Sequence, residues 1–180
     1  TQGVSSAASD VYKRQELFRD VNVPSKSFGE LVESKRHTPS LSAEEVKQRI
    51  DANEDMVVLD VRRFDEYNTM SIPTGISVPG AELVLRVKEI APNPKTQIIV
   101  NCAGRTRSIL GTQSLINAGI PNPVHALRNG TIGWKLAGQS LDVGQTRRFT
   151  DVGPETAAEA AQRARSVANR AKVKRAHLSD

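Results

Sequence analysis

The chain has 180 residues, of which 38% are hydrophobic, 25% are charged and one is cysteine, and its net charge is +5. This length and balance predict one globular core of ordinary size and exclude both a membrane-spanning segment and an internal disulfide bond. The positive charge does not indicate nucleic-acid binding, because only 4% of residues are aromatic. Residues 155–180 hold six Lys and Arg against three Asp and Glu, and a mildly basic segment of this kind is typical of a solvated helix face. A free thiol survives best in a reducing compartment, so we expect a cytoplasmic protein.

The ends of the chain are expected to lie outside the main domain. Residues 1–15 show no hydrophobic period and are expected to be a non-native or disordered leader. We expect a linker or the tail of a preceding domain over residues 16–40 and the main domain over residues 41–150. Residues 151–180 are expected to form a helical linker toward a possible following domain.

Helix and strand signals alternate after residue 41. Ser42 and Glu45 form a capping-box pattern, and Val46 and Ile50 follow at helical spacing, so a helix begins here. Further helices are predicted over residues 64–70, 82–90 and 108–118, and strands over residues 56–61, 76–78, 97–101 and 124–127. This alternation predicts an α/β fold with a parallel sheet and helices on both faces.

Cys102 stands where the strand 97–101 meets a short glycine-containing turn that opens a helix. Such a turn aims several backbone N–H groups at one point and stabilises negative charge on sulfur, so Cys102 is predicted to be a nucleophile. The alternative is a small buried apolar residue, but Arg105 and Arg107 are poor neighbours for an apolar core. Asp60 also ends a predicted strand. Because ligands bind at the carboxyl edge of parallel sheets, we expect the site at this edge.

The loop after Cys102 has an informative length, because four residues separate Cys102 from Arg107. Loops that cradle a phosphate in cysteine phosphatases have five residues at this place. A ring of amides one residue smaller suits one extra sulfur atom better than a tetrahedral oxyanion.

Four motifs together point to one family. They are Leu59–Arg62 followed by Glu66 and Tyr67, Ile72–Pro73 with Val78–Pro79, the loop Cys102–Ser108, and Asn129–Trp134. These motifs resemble those of the rhodanese family, sulfurtransferases that carry sulfane sulfur as a cysteine persulfide. The resemblance covers about residues 41–140 and implies a rhodanese-like catalytic domain, with its active-site loop at the carboxyl edge of the sheet.

The chain departs from the family pattern in two places. Ser71 stands where the family usually has histidine and Thr74 where it usually has glycine, and both changes are expected to affect a structural turn. Many members have glycine at the position of Arg105, whereas this chain has its glycine one position earlier, at Gly104. The loop keeps its length but carries more charge, which is expected to alter substrate preference.

The resemblance implies chemistry at Cys102. Its thiolate attacks the outer sulfur of a donor such as thiosulfate and holds that sulfur as a persulfide, which passes to a thiophilic acceptor: cyanide, a thiol or an acceptor protein. The persulfide is expected to be cradled by the backbone N–H groups of Ala103, Gly104, Arg105, Thr106, Arg107 and Ser108. Arg105 and Arg107 are predicted to attract the small anionic donor, or alternatively to be solvated side chains.

Three other residues are predicted to support the loop rather than to react. Asp60 is expected to be a structural hydrogen-bond acceptor, because a thiolate that is already formed needs no general base. By resemblance Arg62 and Glu66 brace the loop, although their spacing of four also suits an ion pair at a helix start.

Trp134 is expected in the core. The three histidines are scattered, and His125 lies in an apolar strand, so no metal site and no cofactor are predicted.

Two other classes of protein remain open. One is a cysteine phosphatase or arsenate reductase of the same fold, disfavoured by the short loop and by Asn101 where a histidine would precede Cys102. The other is a non-catalytic rhodanese-like interaction domain, disfavoured because such modules commonly lose the cysteine.

Internal echoes predict neighbouring rhodanese-like domains in a tandem array. Residues 18–21 and Pro24 are echoed by residues 149–152 and Pro154, and residues 40–42 by residues 177–179, at offsets of 131 and 137. The last segment also carries alanines at helical spacing, a narrow stripe suited to packing against a neighbouring surface: Ala157, Ala160, Ala161, Ala164, Ala168 and Ala171.

Overall fold

The computed structural model describes residues 24–174 and residue 176. The leader predicted over residues 1–15, and the echo segments 18–21 and 177–179, lie outside these described residues. None of the helices within residues 24–174 is both long enough and apolar enough to cross a bilayer.

The described residues contain five strands, seven α-helices and one short 3-10 helix (Gly80–Glu82). The strands are β1 (Ser40–Leu41), β2 (Met56–Asp60), β3 (Ile76–Ser77), β4 (Gln97–Asn101) and β5 (Val124–Leu127). The helices are α1 (Pro24–Arg36), α2 (Ala43–Asp51), α3 (Phe64–Thr69), α4 (Leu83–Ile90), α5 (Thr106–Asn117), α6 (Gly130–Leu136) and α7 (Pro154–Arg170). Each helix and strand predicted between residues 42 and 127 is confirmed, with ends that differ by two residues or fewer.

The strands form one parallel sheet in the order β1-β5-β4-β2-β3. The side chains alternate between its two faces, as a pleated strand requires. Leu59 and Val100 join a core cluster with Leu83 of α4 and Leu115 of α5 on one face. On the other face, Val58 and Ile99 pack with residues of α2 and α6. The predicted parallel sheet with helices on both faces is therefore confirmed.

The sheet register brings the two predicted strand ends together. Asp60 is the register partner of Asn101 between β2 and β4, and Asn101 directly precedes Cys102. Both residues are buried at the carboxyl edge of the sheet. The expectation that Asp60 and Cys102 lie at the same edge is met by this register.

Helix α1 is an element that the sequence did not predict. It lies within residues 16–40 and packs against α5, with its buried Gly29 next to Thr106. Its larger apolar residues, Phe28 and Leu31, are exposed. A helix that docks through a glycine and turns its apolar residues outward lacks the usual amphipathic signal, which explains why the prediction missed it.

Helix α7 packs against α4. Its buried residues are Thr156 and Ala160, and Lys88 Nζ of α4 lies 2.7 Å from the carboxylate of Glu159. Arg163 donates a hydrogen bond of 2.9 Å to the carbonyl of Gly119. Of the predicted alanine stripe, Ala160 is buried, whereas the residues toward the end of the helix are half-buried or exposed.

Candidate functional site

Cys102 follows β4 directly and is 2% exposed. Its thiol donates a hydrogen bond of 3.5 Å to the hydroxyl oxygen of Ser108, and that hydroxyl donates in turn to the carbonyl of Arg105 at 2.8 Å. The sulfur atom therefore lies inside the turn of chain that connects β4 to α5, in contact with the first turn of the helix.

Backbone N–H groups surround this turn of chain. Helix α5 begins at Thr106, and the N–H groups in the first turn of a helix have no acceptor within the helix. Among the described residues, no backbone carbonyl accepts a hydrogen bond from the N–H groups of residues 103–105. The positive ends of these dipoles suit a negatively charged sulfur species.

Helix α6 holds the start of the loop through two backbone hydrogen bonds. The N–H of Thr131 donates to the carbonyl of Cys102 at 2.8 Å, and the N–H of Ile132 donates to the carbonyl of Ala103 at 3.0 Å. This approach requires a glycine at residue 130, because φ there is +53° and a Cβ would lie 2.2 Å from the carbonyl oxygen of Cys102. The Asn129–Trp134 motif thus shapes the back of the loop.

A buried polar network lies beneath Cys102. Asp60 accepts hydrogen bonds from Arg62 Nε at 2.9 Å and Arg62 Nη2 at 2.8 Å, and Arg62 Nη2 also donates to the carbonyl of Met70 at 2.6 Å. Asn101 Nδ2 donates to Asp60 at 2.8 Å and to Thr131 Oγ1 at 3.0 Å. The hydroxyl of Thr131 reaches the carbonyl of Cys102 at 3.2 Å. Asp60 thus has the contacts of a structural hydrogen-bond acceptor.

The alternative that Arg62 and Glu66 form an ion pair at a helix start is wrong. Arg62 pairs with Asp60 on its own strand end, and Glu66 pairs with Arg107. Both oxygens of Glu66 accept from the two terminal nitrogens of Arg107 at 2.8 Å. The correct partners follow from the fold, which places α3 beside the first turn of α5.

The bidentate pair shifts the pKa values of both partners. The hydrogen bond from Arg107 lowers the pKa of the Glu66 carboxyl, against the opposing effect of partial burial. The hydrogen bond to Glu66 raises the pKa of Arg107, and the charges of Glu66, Cys102 and Asp60 raise it further. Arg107 is therefore a cation held next to the Cys102 loop, rather than a freely solvated side chain.

Arg105 is also paired. Its guanidinium donates to the carboxylate of Glu33 and lies 3.7 Å from the carboxylate of Glu30, both on α1. Its side chain is 42% exposed, so this contact lies at the surface beside the loop. Neither partner was predicted, because nothing local in the sequence connects α1 with the loop.

Trp134 and His125 have hydrogen-bond partners other than Cys102. Trp134 is buried in the core, as expected, and its indole N–H donates to the carbonyl of Ser140 at 2.7 Å. His125 is half-buried with a ring nitrogen 3.1 Å from the amide of Gln97, and burial lowers its pKa. Within residues 24–174, no cluster of three His, Cys, Asp or Glu side chains forms a metal site.

The family departures at residues 71 and 74 fall in one turn. The N–H of Ser71 donates to the carbonyl of Asp142 at 2.9 Å, which ties this turn to the chain after α6. Thr74 has φ +67°, a conformation that glycine adopts without strain. The position where the family usually has glycine is thus one that demands a left-handed backbone.

Two residues of the network were missed by the sequence prediction, namely Asn101 and Thr131. Asn101 is a buried polar residue at the end of an otherwise apolar strand, and that contrast is the signal that indicates a hydrogen-bonding role. Thr131 lies inside the Asn129–Trp134 motif, and its role becomes visible once α6 is placed behind Cys102.

We expect the pair of Glu66 and Arg107 to stabilise the fold only where Glu66 is ionised. Because its folded-state pKa is lowered, its contribution is present above the unfolded value of about 4.3 and is lost as the pH falls through the folded value. Glu66→Gln should cost less than about 1 kcal/mol at pH 7, since both side chains are partly exposed. Denaturant unfolding at stepped pH measures this difference, and a difference that persists near pH ~2 contradicts the expectation.

Comparison with known proteins places this geometry in a family. Residues 42–137 match the Rhodanese-like domain family. A putative sulfur carrier protein, YrkF of Bacillus subtilis strain 168, is 31% identical over 96 residues, which are 52% of this chain and 51% of that protein. The HTH-type transcriptional regulator Rv0324 of Mycobacterium tuberculosis is 30% identical over 105 residues, 58% of this chain and 45% of that protein. The chain thus spans about half the length of these curated relatives.

Solved structures share the fold. A thiosulfate sulfurtransferase from Pseudomonas aeruginosa superposes with a TM-score of 0.87 and 72% identity, over 89% of this chain and 31% of that one. A protein from Rhodopseudomonas palustris described as a possible tyrosine phosphatase has a TM-score of 0.58 and 21% identity, over 67% of this chain and 95% of that one, and shows the fold alone. Because the family match covers more than half of the 180 residues, the chain belongs to the family of rhodanese-like domains, as its motifs predicted.

Proposed function

We propose that the chain is a sulfurtransferase that moves sulfane sulfur from a donor such as thiosulfate to a thiophilic acceptor through a persulfide on Cys102. The observation that carries this proposal is the loop itself. Cys102 lies in the turn of chain before α5, where the N–H groups of residues 103–105 donate to no backbone carbonyl of the described residues, and four residues separate it from Arg107. We infer from this loop length that the ring of amides suits one extra sulfur atom.

The reaction has two displacement steps. In the first, the Cys102 thiolate attacks the outer sulfur of thiosulfate, a sulfur–sulfur bond forms at Cys102, and the sulfur–sulfur bond of the donor breaks with its electron pair leaving on sulfite. In the second, the acceptor attacks the outer sulfur of the persulfide and the Cys102 thiolate departs. Cyanide becomes thiocyanate in this step, and a thiol becomes a persulfide.

The surrounding residues have supporting roles in this proposal. The N–H groups of residues 103–108 stabilise the negative persulfide, and Arg107 adds a positive charge beside it. Asp60 and Arg62 hold the strand end beneath Cys102, and Glu66 fixes Arg107. No step requires a metal or an organic cofactor, because the sulfur of Cys102 is the nucleophile in the first step and the leaving group in the second.

Two relatives support the proposal. The Pseudomonas aeruginosa thiosulfate sulfurtransferase is 72% identical to this chain, and a curated relative is described as a putative sulfur carrier. Both are longer than the matched region. We extend the proposal to an acceptor protein and to neighbouring rhodanese-like domains as partners, in a reducing cytoplasm that preserves the thiol.

A comparison of initial rates tests the proposal against the rival classes. We expect cyanide-dependent formation of thiocyanate from thiosulfate, with mercaptopyruvate as a second donor, and negligible hydrolysis of an aryl phosphate. The physical reason is the loop length, which leaves too small a ring of amides for a phosphate. Turnover of the aryl phosphate that equals or exceeds sulfur transfer contradicts the proposal. A chain that neither takes up sulfur from either donor nor hydrolyses the phosphate also contradicts it, and favours the non-catalytic interaction domain.

A further inference from the structure

Helix α1 contributes side chains to the surroundings of the Cys102 loop, although it lies outside residues 42–137, which match the family. The helix docks closely: a Cβ on Gly29 would lie 3.1 Å from Thr106 Cγ2, in the first turn of α5. This contact brings two carboxylates of α1, Glu30 and Glu33, to the guanidinium of Arg105.

Both arginines of the loop therefore have carboxylate partners. Arg107 is held by Glu66 in a bidentate pair, and Arg105 faces Glu33 and, at 3.7 Å, Glu30. The group formed by Arg105, Glu30 and Glu33 has a net charge of −1, although the loop sequence by itself is strongly basic.

This pairing changes what the loop offers to an anionic donor. A guanidinium that already faces carboxylates attracts an approaching anion less, because the carboxylates repel that anion over nearly the same distance. The penalty scales with the charge of the donor, so a dianion loses about twice as much as a monoanion.

We propose that α1 sets the charge selectivity of the Cys102 loop toward its sulfur donor. The negative charges of Glu30 and Glu33 offset the positive charge of Arg105, so that the site favours sulfane-sulfur donors with less negative charge than thiosulfate. This inference rests on the proposed sulfurtransferase function. It adds the charge class of the donor and assigns Glu30 and Glu33 a role as specificity-determining residues.

Two donors with the same chemistry and different charge make the test. Thiosulfate is a dianion and releases sulfite, whereas benzenethiosulfonate is a monoanion and releases benzenesulfinate; each gives its outer sulfur to Cys102 by the same exchange of sulfur–sulfur bonds. In the double variant Glu30→Gln with Glu33→Gln, we expect the KM for thiosulfate to fall on the order of fivefold. The KM for benzenethiosulfonate should fall only about twofold, since a monoanion feels half the electrostatic effect, and kcat should not change for either donor.

Arg105 provides the internal check. Adding Arg105→Gln to the double variant should bring the KM for thiosulfate about halfway back, on a logarithmic scale, to that of the unmodified chain. The group is then neutral, midway between −1 in the unmodified chain and +1 in the double variant. Asp51→Asn with Glu54→Gln is the matched control, since it removes two negative charges at the opposite edge of the sheet. That control should leave both KM values unchanged.

The outcomes distinguish a failure of the charge-selectivity inference from a failure of the sulfurtransferase proposal. Equal changes in KM for both donors, or a fall in the thiosulfate KM that Arg105→Gln leaves undiminished, overturns the charge-selectivity inference. So does a loss of thermal stability in the double variant with no donor-dependent change in KM, which is the result of a purely structural contact. A chain that forms no persulfide with either donor instead overturns the sulfurtransferase proposal.

Discussion

Cys102→Ser should abolish both sulfur transfer and sulfur uptake. After incubation with thiosulfate, intact-protein mass spectrometry should show the mass of one added sulfur atom on the unmodified chain and no addition on the variant. A serine hydroxyl is a weak nucleophile without an adjacent general base, and no carboxylate or imidazole among the described residues contacts Cys102 Sγ. Because serine is close to cysteine in size, the fold should be kept, which thermal unfolding checks.

Ser108→Ala is the matched control for this experiment. It removes the hydroxyl that contacts Cys102 Sγ at 3.5 Å but leaves the thiol in place. We expect this variant to keep the sulfur adduct. An adduct that persists in Cys102→Ser would place the sulfur elsewhere and show that the loop is not the site.

Arg62→Ala should lower the free energy of unfolding by about 3–5 kcal/mol, because it leaves the carboxylate of Asp60 buried without its partner. Asp60 is 1% exposed and Arg62 4% exposed, and Arg62 also caps the carbonyl of Met70. Sulfur transfer should slow strongly as well, since Asp60 supports Asn101 at the strand end beneath Cys102. Denaturant unfolding and initial rates below the unfolding transition measure the two effects.

Arg63→Ala is the matched control, because it removes an exposed arginine charge where Arg62→Ala removes a buried one. Arg63 is the next residue and pairs with Asp65, but its side chain is 79% exposed, so its removal should cost under about 1 kcal/mol. Unchanged kinetics in Arg62→Ala, or a loss of stability no larger than that of Arg63→Ala, contradicts the role of Arg62 in supporting the loop.

Much of the fold was predictable because its signals are local. The capping box at Ser42 and Glu45 is present in full, and the apolar runs 56–60 and 97–101 are strands buried in the sheet. The loop position of Cys102 was predictable for the same reason: a buried strand, a glycine-containing turn and a helix follow one another directly in the chain.

The ion-pair partners were not predictable from local signals. Glu66 and Arg107 are 41 residues apart, and Arg105 and Glu33 are 72 residues apart, so only the packing of α3 and α1 against α5 brings them together. The spacing of Arg62 and Glu66 suggested a helical pair that the fold does not form, because the buried carboxylate of Asp60 is the closer partner of Arg62.

The contacts of α6 behind the loop determine where two amides point. A trans peptide unit is planar, so its C=O and its N–H face opposite ways, and the described residues contain no cis peptide bond. The hydrogen bonds that Thr131 and Ile132 donate to the carbonyls of Cys102 and Ala103 therefore turn the N–H groups of Ala103 and Gly104 away from α6. These dipoles are oriented before any sulfur arrives, so the backbone needs no rotation when negative charge develops in the loop.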